Sequence, residues 1–408
     1  MRFLFTSLFS NDLGLLTSSL PIATALQDRG HVVAACNPLR APGALIAEAG
    51  LKNLPIRQVR PKVYAPSTPE VWNIDHFAAL TGMLDERFVQ KVCQLFLNTI
   101  DLYRPDVVVD SWNPCACIAA RVRNVPVVTL IHSYVHPLSQ GFIWWRPSPP
   151  NIPTPLEVVN RVLTEYALKP VQRVADLYVG DLTLVHGTAA TDPLPPEAQI
   201  TYTGAILWQK NSARLPLEVE RFSARRPVIW VYTGNPQYGP IPSWADSAVV
   251  LRTCIAALAN TPVRVVVTTG FHSLPQSVGQ LPDNFMYIPY VAGLEMAKHS
   301  ALLIHHGGYN SCQLGLLTGT PSLVLPTFSE REGNARRVAR LGAGEFLIPT
   351  IDERGQKHVP IEQFSQAVWN ILDQEMYVER ARASGELLCA GRGPQQTADL
   401  LEQFIMTG

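Results

Sequence analysis

At 408 residues the chain exceeds what one ordinary hydrophobic core supports, so two domains of roughly 200 residues each are expected. Its 33 Lys and Arg balance 33 Asp and Glu, which argues against a bulk polyanion partner such as nucleic acid and against an acidic, solvated tail. The seven cysteines are odd in number and scattered, with Cys115 and Cys117 spaced as CxC; this fits neither a CxxC zinc pair nor a small disulfide framework and favours a reducing cytoplasm.

The N-terminus, MRFLFTSLFSNDLG, holds one Arg and a short apolar run, followed by an Asn-Asp-Leu-Gly turn where a signal peptide would continue into its apolar region. No uncharged apolar run reaches the roughly 18 residues that span a bilayer, so no transmembrane segment is expected. FLFTSLF (3–9), HVVAACN (31–37), DVVVDS (106–111) and VPVVTLIH (125–132) are continuous apolar runs of the kind that form parallel strands buried on both faces. Between the first two, SSLPIATALQDRGH places Leu20, Ala23 and Leu26 at helical spacing, with Gly30 as the C-terminal stop. Residues 132–155 form a proline-dense insert in which Trp144 and Trp145 are adjacent. They either fill a local core or line an apolar acceptor pocket, with His132 at its edge.

A polar, proline-containing linker is expected at 207–226. Beyond it PVIWVYTG (227–234), VRVVVTTG (263–270), NFMYIPYV (284–291), ALLIHHGG (301–308) and PSLVLPT (321–327) repeat the strand pattern. The alternation predicts two doubly wound α/β domains, 1–206 and 227–408, with the option that the last helix packs back on the N-terminal domain, and a ligand cleft between them.

At LLIHHGGYNSCQLGLLTGTPSLVLP (302–326) a strand runs through two histidines and two glycines into a helix. A helix start after a parallel strand presents backbone N–H groups and the positive end of a dipole. Gly307 and Gly308 let the backbone approach a diphosphate, Asn310 and Ser311 add an amide and a hydroxyl, and His306 adds a donor. The alternative is a tight turn and nothing more. His305, ending the strand, reads as a hydrogen-bonded core residue. The pair reads as no metal site, because adjacent strand residues point to opposite faces.

HHGGYNS…GTPSLVLPTFSEREGNARRVARLGAG, LPIATALQDRGHVV, YIPYVAGLEMAKHSALLIHHGG and YTGAI together resemble the nucleotide-sugar-dependent glycosyltransferases of GT-B fold, the superfamily that includes bacterial macrolide and antibiotic glycosyltransferases. The resemblance implies two facing Rossmann-like domains with parallel sheets and an interdomain cleft, the acceptor on the N-terminal side and the donor on the C-terminal side. It implies that His306 contacts the donor diphosphate, with Gly308, Asn310 and Ser311 completing the cradle. Tyr287 stands where an aromatic ring stacks on the base. Thr233, Gly234 and Asn235 match a loop beneath the phosphates, and Asn334 matches a later asparagine.

Three positions depart from the family. Leu314 replaces a glutamate that binds the ribose hydroxyls, a loss of about 1–3 kcal/mol in nucleotide grip. Glu330 and Arg331 replace an Asp-Gln pair that reads the sugar; Glu330 still accepts hydroxyl protons, whereas Arg331 fits an acidic sugar or a salt bridge with Glu330 or Glu332. Leu15, after Gly14, replaces the usual catalytic histidine, and losing a general base lowers rate by about 10²–10⁴. Asp12 and Asp110 are the candidate bases, Asp12 also fitting a helix cap; His132 and His136 are further candidates, more naturally structural.

The expected function is an inverting, metal-independent hexosyltransferase that uses a UDP- or dTDP-sugar and an apolar polyketide, terpenoid or phenol acceptor, with O- or C-transfer open. FAALTGML (77–84) and the tryptophan loop suggest the apolar acceptor. The alternative is a GT-B-like auxiliary protein that binds without turnover. No cofactor beyond the nucleotide sugar is expected, and homodimerisation is left open.

Overall fold

In the computed structural model, which describes residues 1–10, 13–208, 214–223, 227–234, 246–270 and 272–407, the continuous apolar runs become buried parallel strands. A strand such as Val107–Ser111, buried at every residue, has no face to give to solvent and is stable only with helices on both sides. The chain divides into two compact units, Met1–Trp208 with Cys389–Gly408, and Gln209–Leu388.

The first unit carries β1 (Arg2–Ser7), β2 (Val32–Cys36), β3 (Lys52–Asn53), β4 (Val107–Ser111), β5 (Val127–Ile131), β6 (Leu182–Val185) and β7 (Thr201–Tyr202). They form one sheet in the order β3-β2-β1-β4-β5-β6-β7, with every pairing parallel. Because strand side chains alternate, the sheet feeds two cores. Phe3, Phe5, Val107, Val109 and Leu130 meet Leu16, Leu20 and Leu26 of the helix Gly14–Asp28, together with Ala398 and Leu401 of the helix Gly393–Thr407. Leu4, Ala34, Val108 and Val127 meet the helices Glu86–Tyr103 and Leu156–Glu165 through Phe96, Leu97, Val159 and Val162.

Gly30 ends the helix Gly14–Asp28 with φ 84, and the Gly30 and His31 amides donate back to Gln27 and Leu26 at 2.9 and 3.2 Å. Such a left-handed C-terminal turn suits glycine. The C-terminal helix is held to this region by burial of Ala398 and Leu401, both 0% exposed. Ion pairs of Arg29 with Asp399 (2.7 Å) and Glu402 (2.9 Å), and of His31 with Glu402, add a partly exposed and therefore smaller contribution.

The second unit carries β8 (Val228–Tyr232), β9 (Arg264–Thr268), β10 (Phe285–Tyr287), β11 (Leu302–His305), β12 (Ser322–Val324) and β13 (Gly344–Phe346) in the order β10-β9-β8-β11-β12-β13, again all parallel. A small antiparallel pair, β14 (Thr350–Ile351) and β15 (Lys357–His358), follows. Ile229, Val231, Val265, Leu302 and Ile304 pack on the helices Ala248–Leu258 and Ile361–Asp373, while Trp230, Val266 and Leu303 pack on Val219, Met296 and Ala297.

Both sheets reverse their direction of growth between the first strand and the strand that follows on its other side: β1 and β4 in one unit, β8 and β11 in the other. The loops leaving these strands diverge to opposite faces and open a crevice at the carboxyl ends, the usual ligand position in open α/β sheets. β3, β6, β7 and β13 are strands that the sequence reading does not identify. β3, β7 and β13 have only two or three residues, and a threonine interrupts the apolar run of β6. The expected strand 284–291 is shorter than read, spanning only Phe285–Tyr287; Pro289 just beyond has no N–H to continue a ladder. Among the described residues no helix is long and apolar enough to cross a membrane, and the seven cysteines are free thiols.

Candidate functional site

The glycine junction lies at the switch point of the second unit, where β11 pairs with β8 in the register His305 to Tyr232. His305, 0% exposed, uses Nδ1 to accept the Gly307 amide at 3.1 Å. Burial pushes its pKa down to about 3, so the ring is neutral and serves as the acceptor that folds the turn. Gly307 has φ 92, and a Cβ there would lie 2.8 Å from the Arg331 carbonyl oxygen. Gly308 then starts the helix Tyr309–Thr318 as a cap without a side chain.

His306 is buried between two glycines. A Cβ on Gly234 would lie 2.7 Å from its Cε1 and one on Gly308 2.8 Å from its Nε2, so neither position admits alanine without moving the ring. The Tyr232 ring lies 5.7 Å away. Burial first, then the Arg331 charge and the neighbouring His305, hold His306 well below the ordinary histidine range, opposed by a hydrogen bond with the Tyr232 backbone. Its Nδ1 has no hydrogen-bond partner among the described residues. A buried polar atom without a partner is expensive unless something arrives to satisfy it.

Asn334 clamps the turn from the next helix, its Nδ2 donating to the Gly307 carbonyl at 3.0 Å and to Glu330 Oε1 at 2.7 Å. The structure thus brings His306, Gly308, Gly234, Glu330 and Asn334 to one place, with Asn310 and the buried Ser311 in the first turn of the helix that starts there. Asn235 lies outside the described residues. Thr233 is buried, its hydroxyl donating to the Gly234 carbonyl at 2.9 Å. Leu314, one turn further on, joins the apolar cluster around Trp230 and faces Gly293. Tyr287 ends β10, three strands along the sheet from β11 and so about 14 Å from the junction. Its hydroxyl donates to the His272 carbonyl at 2.7 Å and its ring packs on the core.

Among the first unit's candidates, Asp12 lies outside the described residues. Asp110 ends β4 at 0% exposure, accepting the Thr6 hydroxyl on Oδ1 (2.5 Å) and the Asn113 amide on Oδ2 (2.8 Å). Burial raises its pKa to about 7 against these bonds. It organises the β1 and β4 loops and has no open side from which to take a proton.

His132 and Tyr134 form a 2.6 Å hydrogen bond inside an aromatic cluster with Trp112, Phe142, Phe77 and His186. Trp112 sits at φ 66, a left-handed conformation that costs a bulky residue about 1–3 kcal/mol. Its buried Nε1 has no partner among the described residues. His136 accepts the Leu138 amide at 3.2 Å within its own turn. Trp144 and Trp145 meet edge to face at 5.8 Å and line a concavity of about 470 Å³ with Gln140, Ile143 and Arg146.

Sequence reasoning does not single out Trp112, His186 or Lys357. His186 had a signal: LTLVHG ends a strand on His-Gly much as LLIHHGG does. The other two depend on a backbone angle and on burial that no local pattern carries. Among the described residues no group of three or more His, Cys, Asp or Glu side chains could hold a metal ion.

Residues 252–404 match the family described as erythromycin biosynthesis protein CIII-like, C-terminal domain. The chain is 30% identical over 183 residues to the NDP-glycosyltransferase YjiC of Bacillus licheniformis, covering 44% of this chain and 42% of the relative. It is 29% identical over 181 residues to the demethyllactenocin mycarosyltransferase of Streptomyces fradiae, covering 44% and 36%. These alignments therefore span well under half of either relative's length. The calicheamicin glycosyltransferase CalG4 superposes over 99% of this chain and 98% of its own, with a TM-score of 0.75 at 21% identity. The chain thus has the GT-B fold of two parallel-sheet Rossmann-like domains, and over residues 252–404 it matches the CIII-like C-terminal domain.

Proposed function

We propose that the chain is a glycosyltransferase that moves a hexose from a nucleoside-diphosphate sugar, UDP- or dTDP-linked, to a hydroxyl of an apolar small molecule with inversion. The observation that carries this reading is the buried, neutral His306, whose Nδ1 has no partner among the described residues, framed by Gly234 and Gly308 at the switch point and helix start of the second unit. An anion arriving there gains a helix dipole equivalent to about half a positive charge, and raises the proton affinity of the imidazole beside it. Both effects grow as the C1–O bond to the diphosphate breaks and negative charge collects on the leaving oxygen, so they favour the transition state over the bound donor.

Inversion requires the acceptor oxygen to attack C1 from the face opposite the diphosphate while its proton passes to a base. Asp110 is committed on both oxygens, which leaves Asp12 as the carboxylate to test. The aromatic cluster around Trp112 and the Trp144–Trp145 concavity in the first unit supply apolar surface for the acceptor.

The test is nucleotide release from UDP- and dTDP-sugars over a panel of phenolic, polyketide and terpenoid acceptors. Release that depends on acceptor, and that falls about 10²–10⁴-fold in Asp12→Asn, is expected. No acceptor-dependent release across the panel would overturn the transferase reading.

A further inference from the structure

Among the described residues, two cations just beyond the end of β12 make no ion pair. Arg331 occupies the first turn of the helix Ser329–Arg340, where the dipole disfavours positive charge. Lys357, on β15, is 5% exposed, and a buried ammonium is rarely left without a carboxylate. Both are anchored on Thr327: Arg331 donates to its hydroxyl, and Lys357 Nζ to its carbonyl at 2.6 Å. Neither makes an ion pair among the described residues, since the carboxylates nearby are engaged elsewhere. Glu332 pairs with Arg336 at 2.7 Å, Asp246 with Arg252 at 2.9 Å, and Glu330 accepts from Asn334 at 2.7 Å. Residues 235–245 contain no Asp or Glu.

The two cations are also coupled to the glycine junction. The Arg331 backbone abuts the Cα of Gly307, and the Arg331 charge depresses both His306 and Lys357. Burial is the larger cause for Lys357, which falls to about 7 although Asp246 pulls it up. Three groups that would each be relieved by an anion therefore share one corner of the second unit. Thr327 follows β12, one strand and about 4.8 Å beyond the β11 junction. That offset suits a substituent carried by the diphosphate better than the phosphates themselves.

We propose that Arg331 and Lys357 bind an anionic group on the donor sugar, a carboxylate of the hexuronate type. The planar guanidinium matches a carboxylate with two parallel bonds, and the ammonium adds a point charge. This inference rests on the donor-site reading of the glycine junction and narrows it to acidic sugars.

The experiment is isothermal titration calorimetry of the full chain with UDP, UDP-glucose and UDP-glucuronate, and with the three thymidine counterparts, on wild type, Arg331→Gln, Lys357→Met and Lys357→Arg. The uronate is expected to bind at least tenfold tighter than the neutral sugar. Arg331→Gln should erase that preference, Lys357→Met should reduce it, and Lys357→Arg should retain it, with circular dichroism verifying each fold. Equal affinity for the two sugars in wild type overturns the inference. A parallel loss for UDP alone assigns the cations to the diphosphate and also overturns it. Absence of binding by every nucleotide overturns the donor-site reading, and this inference with it.

Discussion

Gly234→Ala tests the arrangement at the junction with two separable penalties. At φ 65 the added Cβ meets its own backbone, worth roughly 1–2 kcal/mol. It also arrives 2.7 Å from His306 Cε1, an overpacking contact worth about 1–3 kcal/mol. A smaller unfolded-state entropy gain of about 0.4–1 kcal/mol opposes both, giving a net loss of about 2–4 kcal/mol in the second unit. In a His306→Ala background the ring is gone and only the backbone penalty remains, so the same glycine change should cost about 1–3 kcal/mol less. Native-state hydrogen exchange of the β8 and β11 amides, read by mass spectrometry across urea, reports that unit separately and yields the coupling directly. An identical loss in both backgrounds would refute the claim that Gly234 is glycine because the imidazole lies against it.

Buried histidines and the buried Asp110 should pull stability in opposite directions over overlapping pH ranges. Burial holds His186 and His305 at about 3, below the unfolded value near 6.5, so their contribution is complete above 6.5 and is lost as pH falls toward 3. By pH 4.5 each has cost its unit on the order of 2–3 kcal/mol, which thermal unfolding of His305→Gln against wild type at pH 7 and 4.5 measures as a shallower acid slope. Asp110 runs the other way: its raised pKa gives a contribution present below about 3.8 and lost as pH rises through about 7. Asp110→Asn should therefore remove a loss of stability that wild type suffers between about pH 4 and 7, and an unchanged pH dependence of the melting temperature over that range would contradict its buried-acid assignment. Leu401→Ala should lower first-unit stability by about 2–5 kcal/mol in hydrogen exchange and leave β8 to β11 unaffected, because Leu401 is fully buried against the helix Gly14–Asp28.

Much of the architecture is legible in the runs 106–111, 125–132, 263–270 and 301–308, because a strand buried on both faces cannot alternate and so declares itself. The glycine junction is legible for a related reason: His-His-Gly-Gly between an apolar run and a helix start admits few backbones. Its placement at the switch point is not, since that depends on strand order. Arg331 shows the limit of local reading. Sequence offers Glu330 and Glu332 as counter-ions, yet helix spacing gives Glu332 to Arg336 and Glu330 to Asn334, four residues on in each case. Lys357 is in a polar stretch, GQKHV, that resembles a surface hairpin and is buried only by what packs over it.

The central claim is that the junction is a working donor site, and calorimetric binding of UDP, dTDP and GDP to wild type and to His306→Ala addresses it most directly. The account predicts micromolar binding of UDP or dTDP, at least tenfold weaker in the variant, with proton uptake on binding as the imidazole regains basicity beside the diphosphate. Binding of none of the three, or binding indifferent to His306, would contradict it.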